Sequence, residues 1–258
     1  MIGSKIKTEK EIEVMAEAGK KLAGVLDFLA KSVKAGMRTN ELDNIAFKMI
    51  RETGCQPAFL NYKPHGARKA YPATVCVSIN EVVVHGVPSD YVIKDGDIVK
   101  IDLGLIYKEF YSDSAVTIGI GAIGIKNRNL IETTKKALEL GIEEARPGNT
   151  LGDIGFAIER HVKANGFSIV ELLTGHGIGR ELHEDPYVYN FGKRDEGDEL
   201  KEGMVIAIEP MVAAGKGSLK QLKDDSFATA DGSFTAHFEH TVAITKDGPR
   251  ILTKITNF

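Results

Sequence analysis

The stretch KDGDIVKID at Lys94–Asp102 occurs a second time, with changes, as KEGMVIAIE at Lys201–Glu209. Each copy has a lysine, a glycine two residues later and a largely apolar run that ends in a carboxylate six residues after the glycine. A histidine and a proline with two residues between them precede each copy, as His85–Pro88 and as His183–Pro186. Short apolar runs rich in β-branched residues are typical of buried strands. The two copies therefore predict two equivalent strands, each with an acid at its end.

A further match pairs DSAVTI at Asp113–Ile118 with EHTVAI at Glu239–Ile244, in the same order along the chain. Coincidence among common strand patterns is the alternative explanation. The matches together predict an α/β (α+β) fold made of a duplicated unit around a pseudo-two-fold axis, with halves of about residues 1–120 and 121–258. No low-complexity linker separates the halves, so we expect one domain over residues 1–258.

The composition is that of an ordinary globular protein, since 43% of the 258 residues are apolar and 27% are charged. A net charge of -3 argues against a protein that binds nucleic acid through a basic surface. No apolar run reaches the roughly 20 residues that cross a bilayer, and the N-terminus lacks the apolar core of a secretory signal. Cys55 and Cys76 alone cannot form a disulfide scaffold, which fits a reducing compartment. These observations predict a cytoplasmic protein without a membrane partner.

Hydrophobic periodicity and turn residues predict the order of the secondary structure. Thr8 and Glu11 form a capping-box pattern before a first helix that ends near Gly36. Further helices are expected from Thr39, over Arg128–Ala145 and over Thr150–Ala164. Strands are expected at Thr74–Ile79, Glu81–His85, Ile98–Leu103, Tyr111–Ile118, Ser168–Leu173, Met204–Glu209, Thr229–Ala230, Thr241–Thr245 and Ile251–Ile255.

The acids at the strand ends, Asp102 and Glu209, stand where an apolar strand would otherwise continue. Burying an ionised carboxylate without a partner costs several kcal/mol, although strand-end acids also cap turns or pair with surface lysines. If residues 103–112 form a hairpin with its turn between 107 and 108, Asp102 and Asp113 are direct cross-strand partners. By the repeat, Glu209 and Glu239 should oppose each other in the second half.

Four carboxylates placed close together invite bound cations, because like charges repel. Two divalent ions would balance their charge, and oxygen-rich ligation with one imidazole favours Mn²⁺, Fe²⁺ or Co²⁺. The imidazole is expected from His176, whose flanking glycines let the backbone come close; a turn residue is the alternative. His183, seven residues after His176 and ahead of Pro186, supports a metal site here. The pair His183-Glu184 is not a zincin signature, because Tyr187 stands where that motif has its second histidine.

A competing motif, GIGAIG at Gly119–Gly124, matches the dinucleotide-binding fingerprint between an expected strand and an expected helix. Glu143 and Glu144 follow about 20 residues later, as that fingerprint requires. Against nucleotide binding, Pro147-Gly148 leads directly into another helix, so no βαβ unit closes. A glycine-rich connection between the two halves is the favoured interpretation.

Seven motifs spread over nearly the whole chain identify a family when they are taken together. They are NExVxHGxP at Asn80–Pro88, KIDLG at Lys100–Gly104, SDSA at Ser112–Ala115, TGHGIGR at Thr174–Arg180, HExP at His183–Pro186, IEP at Ile208–Pro210 and FEHT at Phe238–Thr241. This combination resembles the type I methionine aminopeptidases, which have the pita-bread fold. The C-terminal half lacks the long insertion of the type II enzymes.

The resemblance implies a dinuclear metal site. Asp102, Asp113 and Glu239 would share one divalent ion, and Asp113, His176, Glu209 and Glu239 would hold the other. The ions would be Co²⁺, Mn²⁺ or Fe²⁺, with Zn²⁺ as a further candidate. Glu209 would shuttle the proton of the attacking water, His183 would hydrogen-bond the scissile carbonyl oxygen, and His85 would reach the adjacent peptide nitrogen.

The methionine pocket departs from the family pattern. Its expected residues are Phe59, Tyr62, Tyr71, Cys76 and, in place of a tryptophan that this chain lacks, Phe227. The eight residues Lys63–Ala70 stand where the family usually has two, an apparent insertion of six. They add basic residues, which either form a solvated loop or contact the substrate chain or the ribosome. Leu182 replaces a common aromatic residue. His237, where glutamine is frequent, either contacts the site from behind or is an ordinary exposed strand histidine.

The resemblance implies a hydrolase that removes the N-terminal methionine from nascent polypeptides and prefers a small second residue. We expect it to be a monomer that binds nascent N-termini, without nucleic-acid specificity and with at most a transient ribosome contact. A non-catalytic peptide-binding protein of the same fold is the main alternative, although such proteins usually lose the ligand set.

Overall fold

A computed structural model describes residues 5–63 and 69–255. It contains four helices, α1 Glu9–Ser32, α2 Thr39–Glu52, α3 Ile125–Glu144 and α4 Leu151–Ala164. The strands of the first half are β1 Gln56–Pro57, β2 Val75–Ile79, β3 Val82–Val84, β4 Ile98–Tyr107 and β5 Phe110–Gly119. Those of the second half are β6 Ser168–Ile169, β7 Gly175–Gly177, β8 Glu184–Val188, β9 Val205–Ile208, β10 Met211–Ala213, β11 Leu219–Gln221, β12 Phe227–Thr229, β13 Thr235–His237, β14 His240–Thr245 and β15 Gly248–Ile251.

All four helices lie where the sequence predicts them. The Thr8 hydroxyl caps α1, and the Glu11 carboxylate accepts a hydrogen bond from the Thr8 backbone, which completes the expected capping box. The same arrangement joins Thr150 and Asp153 at the start of α4. None of the helices in the described ranges is long and apolar enough to cross a membrane.

Several strand predictions were wrong in extent. The strand expected at Ile98–Leu103 continues to Tyr107, and the one expected at Thr229–Ala230 spans Phe227–Thr229. The strand expected at Ser168–Leu173 stops at Ile169; Val170 is buried, and the exposed turn residues Glu171 and Leu172 follow it. The one expected at Ile251–Ile255 instead ends at Ile251. Several short strands were missed, and β7 is the important one. Its Gly-His-Gly sequence has no strand propensity, but a Cβ at Gly175 would stand 2.3 Å from the Ala207 carbonyl oxygen, so close backbone approach is what makes the strand.

The strands that carry the acids belong to two antiparallel sheets. In the N-terminal sheet, β4 pairs with β5 along one edge and with β2 and then β1 along the other, while α1 packs against β4 and β5. The C-terminal sheet has the order β15-β14-β9-β7-β8. Two three-stranded sheets, β13-β10-β6 and β11-β12-β3, complete the described part of the chain. The largest hydrophobic cluster runs from α1 and β4 to α3, α4 and β14, which joins both halves in one core.

The register of the β4–β5 hairpin corrects one prediction. Tyr107 pairs with Phe110, so the turn is the two-residue loop Lys108-Glu109, in which both residues have positive φ. This type I′ geometry matches the twist of the strands. As a result Asp102 pairs with Ala115 and Asp113 pairs with Gly104, so the two acids are diagonal neighbours and not direct partners. The error in register is even, so both side chains still leave the same face of the sheet.

The corresponding prediction for the second half is confirmed. Ile208 pairs with His240, and two residues beyond Glu209 and Glu239 the pairing resumes in the same register as Met211 with His237. Glu209 and Glu239 therefore oppose each other at the short break between the two ladders.

The two halves meet along the segments that the sequence matched to each other. The Glu239 N–H donates to the Ala115 carbonyl (3.0 Å), and the Ser114 hydroxyl donates to the Glu239 carbonyl (2.7 Å). The Asp113 N–H donates to the Thr241 hydroxyl, which in turn donates to the Asp113 carbonyl (3.1 and 2.8 Å). This contact brings an acid of each half to the same place, as a pseudo-two-fold arrangement requires.

Close packing of α4 gives a stability prediction. A Cβ at Gly155 would lie 2.3 Å from the Phe191 carbonyl oxygen, so we expect Gly155→Ala to destabilise the protein by about 2–3 kcal/mol through overpacking. The matched control is Gly24→Ala in α1, where a Cβ would meet nothing within 4 Å and should stabilise the helix by about 0.5–1 kcal/mol. Urea unfolding of both variants measures the difference, and equal midpoints would contradict this packing.

Candidate active site

One face of the C-terminal sheet carries three of the predicted metal ligands. Ala207 pairs with both His176 and Thr241, so these three residues share a face. Alternate residues of a strand point to the same side, which adds Glu209, two residues after Ala207, and Glu239, two residues before Thr241. The imidazole and both carboxylates therefore leave the sheet in one direction, towards the hairpin of the N-terminal sheet.

Ligand atoms of both sheets come together there. One ligand atom each of Asp113, His176 and Glu239 lie within 4.8 Å of one another. Glu209 adjoins this group, with its Oε1 3.7 Å from Nε2 of His176. Asp102 is the diagonal neighbour of Asp113 in the hairpin. The structure thus brings all five predicted ligands to one place.

Unpartnered oxygens test whether these residues suit a metal. Oδ1 of Asp102, Oδ1 of Asp113 and Oε1 of Glu239 are buried, and none has a hydrogen-bond partner among the described residues. Leaving a buried oxygen unsatisfied costs about 1–3 kcal/mol, and more for a charged group. Four carboxylates and one imidazole are also the donor set that hard or borderline divalent ions prefer. The residues therefore fit a divalent metal centre.

The crowding of the acids changes their pKa values. Burial raises the pKa of Asp102 and of Glu209 to about 7. For Asp113 and Glu239, burial and then the charges of the neighbouring carboxylates raise the pKa well above the usual range. A cation among them would favour the ionised forms and reverse these shifts.

His237 contacts the site from behind, as one of its two interpretations predicted. The residue is buried, and its Nε2 lies 3.1 Å from Oε2 of Glu209. Burial lowers the pKa of His237 to about 4, so the ring is neutral at pH 7, and it donates to the carboxylate in the tautomer that carries the proton on Nε2. The alternative of an exposed strand histidine is wrong.

The two histidines of the repeat lie beside the acids but in different surroundings. The ring of His183 packs edge to face on that of His176, with centroids 4.4 Å apart, and its Nδ1 lies 2.8 Å from the Tyr62 hydroxyl. The ring of His85 packs on Phe227, with centroids 6.0 Å apart. Both residues keep solvent-accessible surface, but the protein atoms around their rings lower the pKa of each. Both rings are therefore neutral at pH 7.

Four of the predicted pocket residues form one apolar group next to the acids. Phe59, Tyr62, Tyr71 and Cys76 belong to the same hydrophobic cluster, and Phe59 meets Tyr71 edge to face. Cys76 pairs with Asp102 across β2 and β4, which places this apolar group against the buried acids. Burial raises the pKa of the Cys76 thiol well above its usual value, so the thiol is an apolar wall and not a nucleophile.

The other residues discussed for the methionine pocket lie in different places. Phe227 lies in a different apolar cluster, with Met211 and Val84, on the side of His85. Leu182 is buried in the same cluster as Phe59. The predicted insertion at Lys63–Ala70 falls largely on residues 64–68, which lie outside the described residues.

The glycine-rich motif is a connection between β5 and α3, as the favoured interpretation predicted. The Asp95 carboxylate accepts a hydrogen bond from the Ala122 N–H (3.0 Å), and a Cβ at Gly121 would stand 1.5 Å from the same oxygen. An acid therefore fills the place where a dinucleotide would put its pyrophosphate.

Two buried lysines were missed by the sequence reasoning. Lys100 donates from Nζ to the carbonyls of Asn80 and Thr235 and to the Thr235 hydroxyl, which joins β4 to β13 beneath His237. Lys7 donates to the buried Glu184 (2.6 Å), the neighbour of His183. A lysine inside the apolar run before Asp102 was the available signal for Lys100, because it shares the face of Asp102. No sequence feature singled out Lys7.

Comparisons with known proteins agree with this geometry. The model of metallopeptidase family M24 matches residues 13–246. A curated methionine aminopeptidase from Clostridium perfringens is 46% identical over 97% of this chain and 98% of its own length. Methionine aminopeptidase 1 from Bacillus subtilis is 43% identical, with 96% and 98% coverage. The crystal structure of methionine aminopeptidase from Rickettsia prowazekii has a TM-score of 0.94 at 41% identity and covers 98% of this chain and 100% of its own.

These similarities extend over nearly the full length of the chain and of its relatives, and the solved structures have the pita-bread fold that the motifs imply. The family model covers residues 13–246, a range that includes all five predicted metal ligands. The chain belongs to metallopeptidase family M24.

Proposed function

We infer that this protein is a methionine aminopeptidase, a hydrolase that removes an N-terminal methionine. The observation that carries this inference is the convergence of Asp113, His176 and Glu239 beside the apolar pocket. The relatives at 42–46% identity bear the same activity in their names.

We propose two divalent-ion positions that share Asp113 and Glu239. Asp102 completes the first position, and His176 and Glu209 complete the second. When bound, such ions supply Lewis-acid polarisation and lower the pKa of water towards neutrality. Co²⁺, Mn²⁺, Fe²⁺ and Zn²⁺ all suit the donor set.

Glu209 is the proton carrier in this proposal. Its Oε1 lies 3.7 Å from Nε2 of His176, at the edge of the proposed ion positions, so this carboxylate is placed to accept a proton from the attacking water and to release it to the leaving amine. The hydrogen bond from His237 fixes one carboxylate oxygen, so the other is left to face the reacting groups. His237 thereby acts as a positioning residue.

His183 is suited to bind the carbonyl oxygen of the scissile bond. When the Tyr62 hydroxyl donates to Nδ1, the neutral ring carries its proton on Nε2 and can donate it to a developing oxyanion. His85 is the corresponding residue on the opposite side, where Phe227 supports its ring, and we propose that it hydrogen-bonds the next peptide group. The two histidines are equivalent in the repeat but differ in their partners.

The apolar group around Phe59 and Cys76 is proposed to receive the methionine side chain. A thioether carries no strong hydrogen-bond donor or acceptor, so an apolar wall suits it. Tyr71 leaves no free hydroxyl in that wall, because its hydroxyl donates to the carbonyls of Val75 and Gly86. Phe227, which packs on the ring of His85, would border the second residue of the substrate.

Neither alternative function is favoured. A non-catalytic peptide-binding protein would not need a complete set of buried acids with unpartnered oxygens, because their burial is costly without an ion. Nucleotide binding has no free phosphate position in the glycine-rich loop, where Asp95 already occupies the Ala122 N–H.

We further propose the cellular setting that this chemistry suits. The substrates would be the N-termini of nascent polypeptides with a small second residue, in the cytoplasm. The enzyme would act as a monomer, with at most a transient contact to the ribosome.

Metal-free protein resupplied with single metals tests the function. We expect cleavage of Met-Ala-Ser after addition of Mn²⁺, Co²⁺ or Fe²⁺, slower cleavage of Met-Leu-Ser, and none in chelator, because the acids need an ion to act. Calorimetric titration should give two metal equivalents for the unchanged chain and a weaker first-position equivalent for Asp102→Asn. Metal binding without release of methionine would point to the binding protein, and turnover in chelator would contradict the metal centre.

A further inference from the structure

A row of aromatic rings leads away from the proposed metal centre along the edge of the C-terminal sheet. Tyr187 and Tyr189 are 64% and 45% exposed, and Phe191 follows them half-buried. The ring centroids of Tyr187 and Tyr189 lie 6.4 Å apart, and those of Tyr189 and Phe191 lie 5.4 Å apart. We call these three residues the aromatic strip. Contiguous large apolar side chains on a surface are uncommon and mark interaction sites.

The strip begins next to the metal centre. Tyr187 on β8 is the direct cross-strand partner of His176 on β7, so both side chains leave the same face of the sheet. Directly paired residues have Cβ atoms about 4.5–5.5 Å apart. Across this face the strand order places Glu239 and Glu209 first, His176 next and Tyr187 last. The strip therefore continues the site by one strand.

The side chains of this edge, and not its backbone, are available to a ligand. Pro186 in β8 has no N–H to donate to an added strand. Beyond β8, α4 covers the chain, since a Cβ at Gly155 would lie within 2.8 Å of the Tyr189 carbonyl oxygen and 2.3 Å of that of Phe191. Strand addition is thus blocked, and the open surface is the face formed by the tyrosine rings.

The ligand of the aromatic strip should be a continuation of the polypeptide that the active site binds. A polypeptide whose first peptide bond lies at the acids continues outward, and an extended chain advances about 3.3 Å per residue. The step from Tyr187 to Tyr189 is two residues of strand, so it matches about two residues of an extended substrate. Tyrosine rings contact peptides of varied sequence at low entropic cost, as substrates with variable downstream residues require.

We propose that the aromatic strip binds the substrate polypeptide beyond its third residue. This inference rests on the proposed aminopeptidase function and adds a subsite for the downstream chain. A second copy of this protein is a poorer occupant. A stable dimer buries at least about 1,200 Å² in total, whereas each aromatic ring contributes only about 150–250 Å².

Peptides of two lengths test the proposal. The manganese-loaded enzyme is assayed on Met-Ala-Ser, which ends before the strip, and on an uncharged eight-residue peptide with the same first three residues. We expect the eight-residue peptide to have the higher kcat/KM. The double variant Tyr187→Ser/Tyr189→Ser should lose about tenfold in kcat/KM on the long peptide, mainly through KM, and less than about twofold on the tripeptide. The matched control is Phe47→Ser on α2, an aromatic residue of 44% exposure that does not belong to the strip, which should change neither.

The remaining outcomes separate this inference from the function on which it rests. Equal kcat/KM values for the long peptide in the unchanged and double-variant enzymes would overturn the inference. Turnover of the tripeptide by the same enzymes would still support the aminopeptidase function. An equal loss on both peptides would overturn it as well, because the effect would then lie in the metal centre. A dimer in gel filtration that the double variant dissolves would make a second copy the occupant. Failure of the unchanged enzyme on both peptides would instead refute the aminopeptidase function.

Discussion

Glu209→Gln is expected to lower kcat for Met-Ala-Ser by about 10²- to 10⁴-fold while the fold stays intact, because the change removes the titrating group and keeps its shape. The amide can still accept the hydrogen bond from His237, so the loss reports on proton transfer and on metal ligation. The measurement is steady-state turnover at saturating Mn²⁺, together with circular dichroism and the thermal midpoint.

The matched control for this variant is Glu202→Gln, an exposed glutamate next to Gly203, which should leave kcat unchanged. Saturating metal separates the two losses, since weakened ligation is recovered by excess ion and lost proton transfer is not. A Glu209→Gln enzyme that retained more than about a tenth of the activity would remove Glu209 from its proposed role.

Asp102→Asn is expected to stabilise the metal-free protein increasingly as the pH rises. Burial raises the pKa of Asp102 to about 7 in the fold, against 3.8 for an ordinary aspartate. Between these values the folded state holds a proton that the unfolded state has released, so this residue makes the unfolding free energy fall with rising pH. Replacing it removes the penalty, and the variant should gain about 2 kcal/mol near pH 5 and about 4 kcal/mol near pH 7.5.

Urea unfolding of both proteins in chelator measures this difference. Histidines with lowered pKa values, such as His85, His237 and His240, act in the opposite sense, since their neutral folded forms lose stability as the pH falls below about 6.5. They are common to both proteins and largely cancel in the comparison.

Added Mn²⁺ should reverse the order, because an ion stabilises the unchanged protein by mass action and the variant less. Asp247→Asn, an exposed acid, is the control and should show no pH-dependent gain. A variant less stable than the unchanged protein in chelator at pH 7.5 would contradict the crowding of acids.

The sequence was sufficient for the positions of the acids, and the reason is periodicity. Alternation along a strand decides which residues share a face, so Asp102 and Asp113 were placed on one face even though the hairpin register was wrong by two residues. The residue types of the turn Lys108-Glu109 do not predict it, because neither lysine nor glutamate is a usual choice for positive φ. Only the pairing of the finished strands requires that turn.

Other parts of the site depended on contacts between distant segments. The bond from Tyr62 to His183 joins residues 121 positions apart, and His237 reaches Glu209 across two strands of a sheet that the sequence did not predict. Strand β7 exists because Gly175 lets its backbone approach Ala207, although its own residues have low strand propensity. Local patterns carry no information on such contacts.

By itself, the sequence determined the helices, the main strands and the acids that share a face, because these follow from local spacing and from the cost of burying a charge. The tertiary structure alone decided the diagonal placement of Asp102 and Asp113, the support of Glu209 by His237 and the exposed tyrosines beside His176. Those features arise where strands from both halves pack against each other, and the geometry of that packing is fixed by the whole core.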